Sequence, residues 1–105
     1  MSLVTTHVLD TAAGRPAAGI DVRLEAADGT EIARGRTDDD GRIRELGPDR
    51  LEPGVYRLVF DTGPHLGPDA FFPEVTVSFR VFDGTQHHHV PVLLSPFSYS
   101  TYRGS

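Results

Sequence analysis

Glu74-Val75-Thr76-Val77-Ser78-Phe79-Arg80-Val81 alternates polar and apolar residues without a break. A period of two puts Val75, Val77, Phe79 and Val81 on one face of an extended strand, because successive side chains leave a pleated backbone on opposite sides. One face then meets a core and the other meets water, which is the habit of antiparallel sheets. Working outward, the same rhythm returns at Ile20, Val22 and Leu24 against Asp21, Arg23 and Glu25, and more loosely at Tyr56, Leu58 and Phe60 against Arg57 and Val59. Asp28-Gly29, Asp40-Gly41, Pro53-Gly54 and Asp83-Gly84 supply tight turns between such runs. The segments 3–9, 20–26, 31–37, 42–46, 55–61, 74–82, 86–94 and 97–103 therefore read as strands, and 64–72 is left for a short helical turn. The expectation is an all-β, two-sheet sandwich of about eight strands with at most one short helix, in a single domain over residues 1–105.

Three places break the simple pattern. Pro91 lies inside the 86–94 run and cannot donate to a ladder, so an edge, a bulge or a solvent-facing position is expected there. The stretch 63–73 is too rich in proline and glycine for a strand, yet it carries Phe71 and Phe72, so it should fold over one edge of the sandwich. Tyr99-Ser100-Thr101-Tyr102-Arg103-Gly104-Ser105 keeps strand-forming residues almost to the end, which predicts an ordered, tied-down segment.

Composition narrows the chemistry. The net charge is −5, and the basic residues are scattered from Arg15 to Arg103 without forming a stripe, which argues against a nucleic-acid partner. No window approaches the ~20 apolar residues of a membrane helix, and the Met1-Ser2-Leu3-Val4 opening has no basic leader, so a cytoplasmic protein without a membrane partner is expected. Cysteine is absent, which removes disulfides, thiolate metal sites and cysteine nucleophiles. Lysine is absent too, so Schiff-base chemistry is excluded and arginine is the only permanent side-chain cation.

His87, His88 and His89 are consecutive, so on a strand His87 and His89 share one face and His88 takes the other. A His-x-His pair could begin a metal site if a third ligand joined it; the plainer alternative is a solvated polar edge. His7 falls on the face of the first strand shared by Leu3, Thr5 and Leu9, where a core position would be aliphatic. Thr37-Asp38-Asp39-Asp40-Gly41-Arg42 has the look of a calcium loop, but Arg36 stands where its first acid belongs and Gly47 where its distal glutamate belongs. Asp40-Gly41 therefore reads as a turn that presents Arg42. Serines are available, but none sits in a Gly-x-Ser-x-Gly elbow.

Leu93-Leu94-Ser95-Pro96-Phe97-Ser98-Tyr99-Ser100-Thr101 resembles the final hairpin of the transthyretin-like proteins, and the resemblance runs along nearly the whole chain. Tyr102-Arg103-Gly104-Ser105 is similar to the terminal tetrapeptide that distinguishes the hydrolase branch of that family, the 5-hydroxyisourate hydrolases. Thr6-His7-Val8-Leu9-Asp10, the turn Thr37–Arg42 and His89-Val90-Pro91 match the same branch. His88 departs from it, since the family has His-Tyr-His before Val-Pro, and the loop 62–73 looks shorter than in many relatives.

The resemblance implies a homotetramer with sites in a channel between dimers, and hydrolysis of 5-hydroxyisourate to 2-oxo-4-hydroxy-4-carboxy-5-ureidoimidazoline in urate breakdown. Water is the co-substrate, and neither a cofactor nor a metal is implied. It assigns His7, Arg42, His89 and Ser105 to catalysis, with His7, Arg42, Tyr102 and Arg103 holding substrate. Histidines suit proton transfer to and from water near neutral pH, and a guanidinium suits a carbonyl-rich anion. The competing expectation is a non-catalytic transthyretin-like carrier of small ligands.

Overall fold

The computed structural model describes residues 2–105 as two packed sheets. The nine strands are β1 (Val4–Asp10), β2 (Arg15–Pro16), β3 (Asp21–Ala26), β4 (Glu31–Arg36), β5 (Arg42–Ile43), β6 (Gly54–Asp61), β7 (Val75–Val81), β8 (His88–Ser95) and β9 (Ser98–Thr101), with one short helix, α1 (Gly63–Leu66). One sheet runs β4-β3-β6-β7, antiparallel throughout. The other runs β2-β1-β8-β9, with β5 also pairing β1. Its β1–β8 pair is parallel, which joins the two ends of the chain side by side.

The alternation seen in the sequence is the core. Val22 and Leu24, Leu58 and Phe60, and Val75 and Val81 from one sheet meet Val4, Val8, Val92 and Leu94 from the other, all essentially without exposure. Each such side chain contributes ~1.5–3 kcal/mol by leaving water, and this fixes which face of every strand turns outward. In β1 Val4, Thr6 and Val8 form the core-facing set, and Thr5 is buried too although it shares the other face with His7. His7 accordingly does not occupy an inward position that an aliphatic residue would fill, as its face-mates Leu3 and Leu9 suggest; it stands on the outer face of the sheet, half-buried.

Two further expectations are corrected. β5 is only two residues long, and β2 is a two-residue strand with no alternation to announce it. Pro91 is buried in β8, between β1 and β9, so it lies neither at an edge nor in solvent. Nor is there a bulge: Val92↔Thr101 and His89↔Gly104 keep one register, and only the pairing between them lapses. The missing N–H of Pro91 accounts for that gap, while its carbonyl is still used, by Thr101 Oγ1 at 2.7 Å.

The loop 62–73 does fold over an edge. Phe72 packs edge-on against Tyr99 at 5.1 Å between centroids, and Phe71 lies 6.5 Å from Phe97, so the loop spans from the end of β6 to the β8–β9 hairpin. His65 in α1 ties the loop to β1 through Asp10 Oδ2 at 2.7 Å.

Candidate active site

The outer face of the five-stranded sheet brings separate parts of the sequence into register. His7 is directly opposite Arg42 across the β1–β5 pair, and Thr5 is beside His89 across the β1–β8 pair. Strand geometry alone therefore places Thr5, His7, Arg42 and His89 on one surface. His87 joins them because it is two residues from His89, and His88 turns inward, where it is 3% exposed.

The turn that carries Arg42 is built by Asp38. Its Oδ1 accepts the backbone N–H groups of Asp40 and Arg42, each at 2.9 Å, and its Oδ2 accepts Arg44 Nη1 at 3.0 Å. These bonds, led by the one from the Arg42 N–H, hold the Asp38 carboxyl below the ordinary carboxylate range. Gly41 closes the turn at φ 75°, and a Cβ there would stand 2.3 Å from the Val8 carbonyl oxygen. Only glycine lets the turn lie this close on β1.

Thr5, Thr6, Arg42, Ile43, Arg44, His87, His89 and Ser105 line a cleft of about 150 Å³. Arg42 makes no side-chain hydrogen bond or ion pair among the described residues. His89 is half-buried; burial first, and then the positive charge of Arg42 and of His87 and His7 when protonated, pushes its pKa below the usual histidine value. It is therefore neutral at pH 7 and able to accept a proton. His7 borders the cleft without lining it. Its Nε2 lies 2.9 Å from the Asp40 carbonyl oxygen, and since a carbonyl only accepts, Nε2 carries a proton, which leaves Nδ1 as the nitrogen that can exchange one.

The chain end closes the cleft. Gly104 N–H donates to the His89 carbonyl at 2.9 Å, and a Cβ on Gly104 would fall 2.5 Å from His89 Cδ2. The absent side chain is thus what lets the segment lie across the His89 ring and deliver Ser105 into the cleft. Tyr102 and Arg103 do not line this cleft: they line a second, mainly apolar crevice of about 310 Å³, between β7 and β8–β9, together with His88 and with His89, which borders both. His88 Nδ1 donates to the Gln86 carbonyl, and its buried Nε2 has no partner.

Among the residues without a role assigned from the sequence are Thr5, which lines the cleft, and Asp38, which builds the turn beside it. The signal for Thr5 is its place two residues before His7 on the same strand face; for Asp38 it is the Asp-x-x-Gly spacing of a side-chain-capped turn. No group of three or more His, Asp or Glu side chains among the described residues is arranged to hold a metal ion.

A family model described as HIUase/Transthyretin matches residues 4–104. The chain belongs to the HIUase/Transthyretin family. Within it, the chain stands on the hydrolase branch: it is 45% identical over 115 residues to the 5-hydroxyisourate hydrolase of Caulobacter vibrioides, covering 100% of both chains. The solved structure of Klebsiella pneumoniae 5-hydroxyisourate hydrolase superposes with a TM-score of 0.86 at 34% identity, covering 97% of this chain and 98% of that one. Sea bream transthyretin in complex with thyroxine superposes nearly as well, with a TM-score of 0.84 at 34% identity over 96% of this chain and 93% of that one. Backbone likeness alone therefore does not separate hydrolase from carrier, and the side chains of the cleft must.

Proposed function

We propose that this protein hydrolyses 5-hydroxyisourate to 2-oxo-4-hydroxy-4-carboxy-5-ureidoimidazoline by attack of water on the cyclic amide. The observation that carries the reading is the unpaired Arg42 guanidinium in one cleft with neutral His89 and Ser105. An unpaired cation beside a histidine held neutral suits an anionic, carbonyl-rich substrate, and suits an apolar carrier ligand poorly.

In this mechanism His89 takes a proton from water as the oxygen adds to the carbonyl carbon. Arg42 holds the substrate and stabilises the oxyanion through its planar fork of donors. The amide C–N bond then breaks as the leaving nitrogen receives a proton, with His7 and His89 as the working pair. Ser105 orients water or substrate at the mouth of the cleft. Tyr102 and Arg103 line a crevice that shares His89 with the cleft, and in a homotetramer whose sites lie between dimers a neighbouring subunit would bring such a crevice against substrate. Light scattering on the purified protein tests that assembly.

Ultraviolet decay of freshly generated 5-hydroxyisourate tests the activity. Acceleration over buffer by the intact protein, lost on removal of residues 102–105 from a still-folded chain, is the expected result. Well-folded intact protein that leaves the decay at the buffer rate would favour the carrier.

A further inference from the structure

Thr5 touches two of the cleft histidines at once. Its Oγ1 lies 2.8 Å from His87 Nε2 and 2.8 Å from His89 Nδ1. The two rings are stacked with centroids 6.2 Å apart and make no direct hydrogen bond, so among the described residues the hydroxyl links them. Thr5 itself is 5% exposed, and water has little access to compete for either bond.

A hydroxyl has one proton to give. It donates to one imidazole and accepts from the other, so the two rings are tied into complementary protonation patterns. When His89 Nδ1–H donates to Thr5, Thr5 O–H donates to His87 Nε2, and His89 Nε2 is left as a free lone pair. That is the form in which His89 can act as a base. His89 is half-buried and His87 is exposed, so the chain of bonds leads from the enclosed ring to solvent.

We propose that Thr5 is a proton relay between His89 and His87, so that the exposed His87 carries the charge that His89 generates during hydrolysis. This rests on the hydrolase reading. In the forward step the water proton passes to His89 Nε2, His89 Nδ1–H passes to Thr5 Oγ1, and Thr5 O–H passes to His87 Nε2, while the water oxygen bonds to the carbonyl carbon. When the C–N bond breaks, the same chain runs backward and the proton ends on the leaving nitrogen. One water is consumed and the protein is unchanged. The arrangement gives a ring held neutral by burial and by its neighbours Arg42, His87 and His7 a route by which to pass its proton on to the exposed His87. The charge does not stay beside Arg42. Arg44, the other cation lining the cleft, is paired with Asp38.

Thr5→Val removes the hydroxyl and keeps the shape, Thr5→Ser keeps the hydroxyl, and His87→Ala removes the terminus. The relay predicts that Thr5→Val lowers kcat roughly 10–100-fold with KM within about threefold, that Thr5→Ser stays within about threefold of the parent, and that added imidazole restores His87→Ala. A proton inventory in mixed H₂O and D₂O should curve for the parent and be linear for Thr5→Val. The double variant should be no slower than the worse single one, because the groups act as one unit. An active parent with unchanged kcat and inventory in Thr5→Val overturns the relay and leaves the hydrolase reading intact, as does equal loss in Thr5→Val and Thr5→Ser. A folded parent without activity overturns both.

Discussion

The two outer faces of the sandwich treat their charges in opposite ways. On the β4-β3-β6-β7 face four of the five strand arginines meet carboxylates: Arg36 meets Asp21 at 2.8 Å, Arg34 meets Glu31 at 2.5 Å, and Arg23 meets Glu25 at 2.7 Å, with Arg57 3.6 Å from the same glutamate. The fifth, Arg80, lies over the exposed Phe82 ring at 6.0 Å from its centroid. On the β1–β5–β8 face Arg44 is paired with Asp38, but Arg42 has no carboxylate partner among the described residues and shares its cleft with histidines and hydroxyls. Both faces are built on strands of the same alternation, so the difference is not one of fold. The solvated arginines each meet a carboxylate or a ring close by; an arginine left with neither, in a cleft beside histidines, is prepared for something from outside.

The sharpest way to break this contrast is at the base. His89→Gln should lower kcat ~10²–10⁴-fold while the assembly stays intact, the usual range for loss of a general base, and His7→Gln should fall in the same direction; turnover at the parent rate in both variants would contradict the mechanism. Arg42→Lys keeps a charge but loses the fork of donors, so KM should rise about tenfold with a smaller change in kcat. Gly104→Ala puts a Cβ where the His89 ring lies and should slow turnover about tenfold by displacing that ring from Thr5, which a shift of the His89 resonances would report.

The electrostatic part of the contrast can be sharpened without any turnover. Arg42 disfavours the imidazolium form of His89, so Arg42→Gln should raise the His89 pKa toward the ordinary 6.5. Titration of the His89 ring by NMR reads this directly; a downward shift or none would mean that Arg42 does not hold the value down. The sign fixes the pH profile too. Because the native pKa lies below 6.5, activity should hold as pH falls through that value and decline only below it, and in Arg42→Gln the decline should begin at higher pH. The smallest effect is expected on the other face, where Asp21→Asn should leave kcat unchanged and the unfolding midpoint close to that of the parent, since exposed ion pairs contribute little.

Most of the fold is legible because burial and alternation are the same information. Val75, Val77 and Val81 announce the core face of β7, and the structure buries all three. What is not legible is whatever lacks a period. β2 is held by pairing with Leu9 and Asp10 rather than by its own residues, and β5 is cut short where the chain bends after Ile43. Pro91 misleads for a different reason: sequence marks the missing donor but not which neighbour goes without, and here it is β9.

The cleft is legible in part. His7, Arg42, His89 and Ser105 are distinctive residue types in distinctive motifs. Their meeting depends on a parallel β1–β8 pair that no local pattern declares, and that pair is also what sets Thr5 beside His89. Asp38 acts through backbone bonds, which leave no mark in composition. Tyr102 and Arg103 adjoin the cleft in sequence but line another crevice, because the chain turns across His89 at Gly104.

The most direct test of the central claim sets one arginine from each face side by side. Hydrolysis of fresh 5-hydroxyisourate is followed with the parent, with Arg42→Gln and with Arg36→Gln, all confirmed to fold and assemble alike. The account predicts that Arg42→Gln loses at least about a hundredfold in kcat/KM, the scale of losing a charged oxyanion donor, while Arg36→Gln matches the parent. Equal activity in the two variants would contradict it.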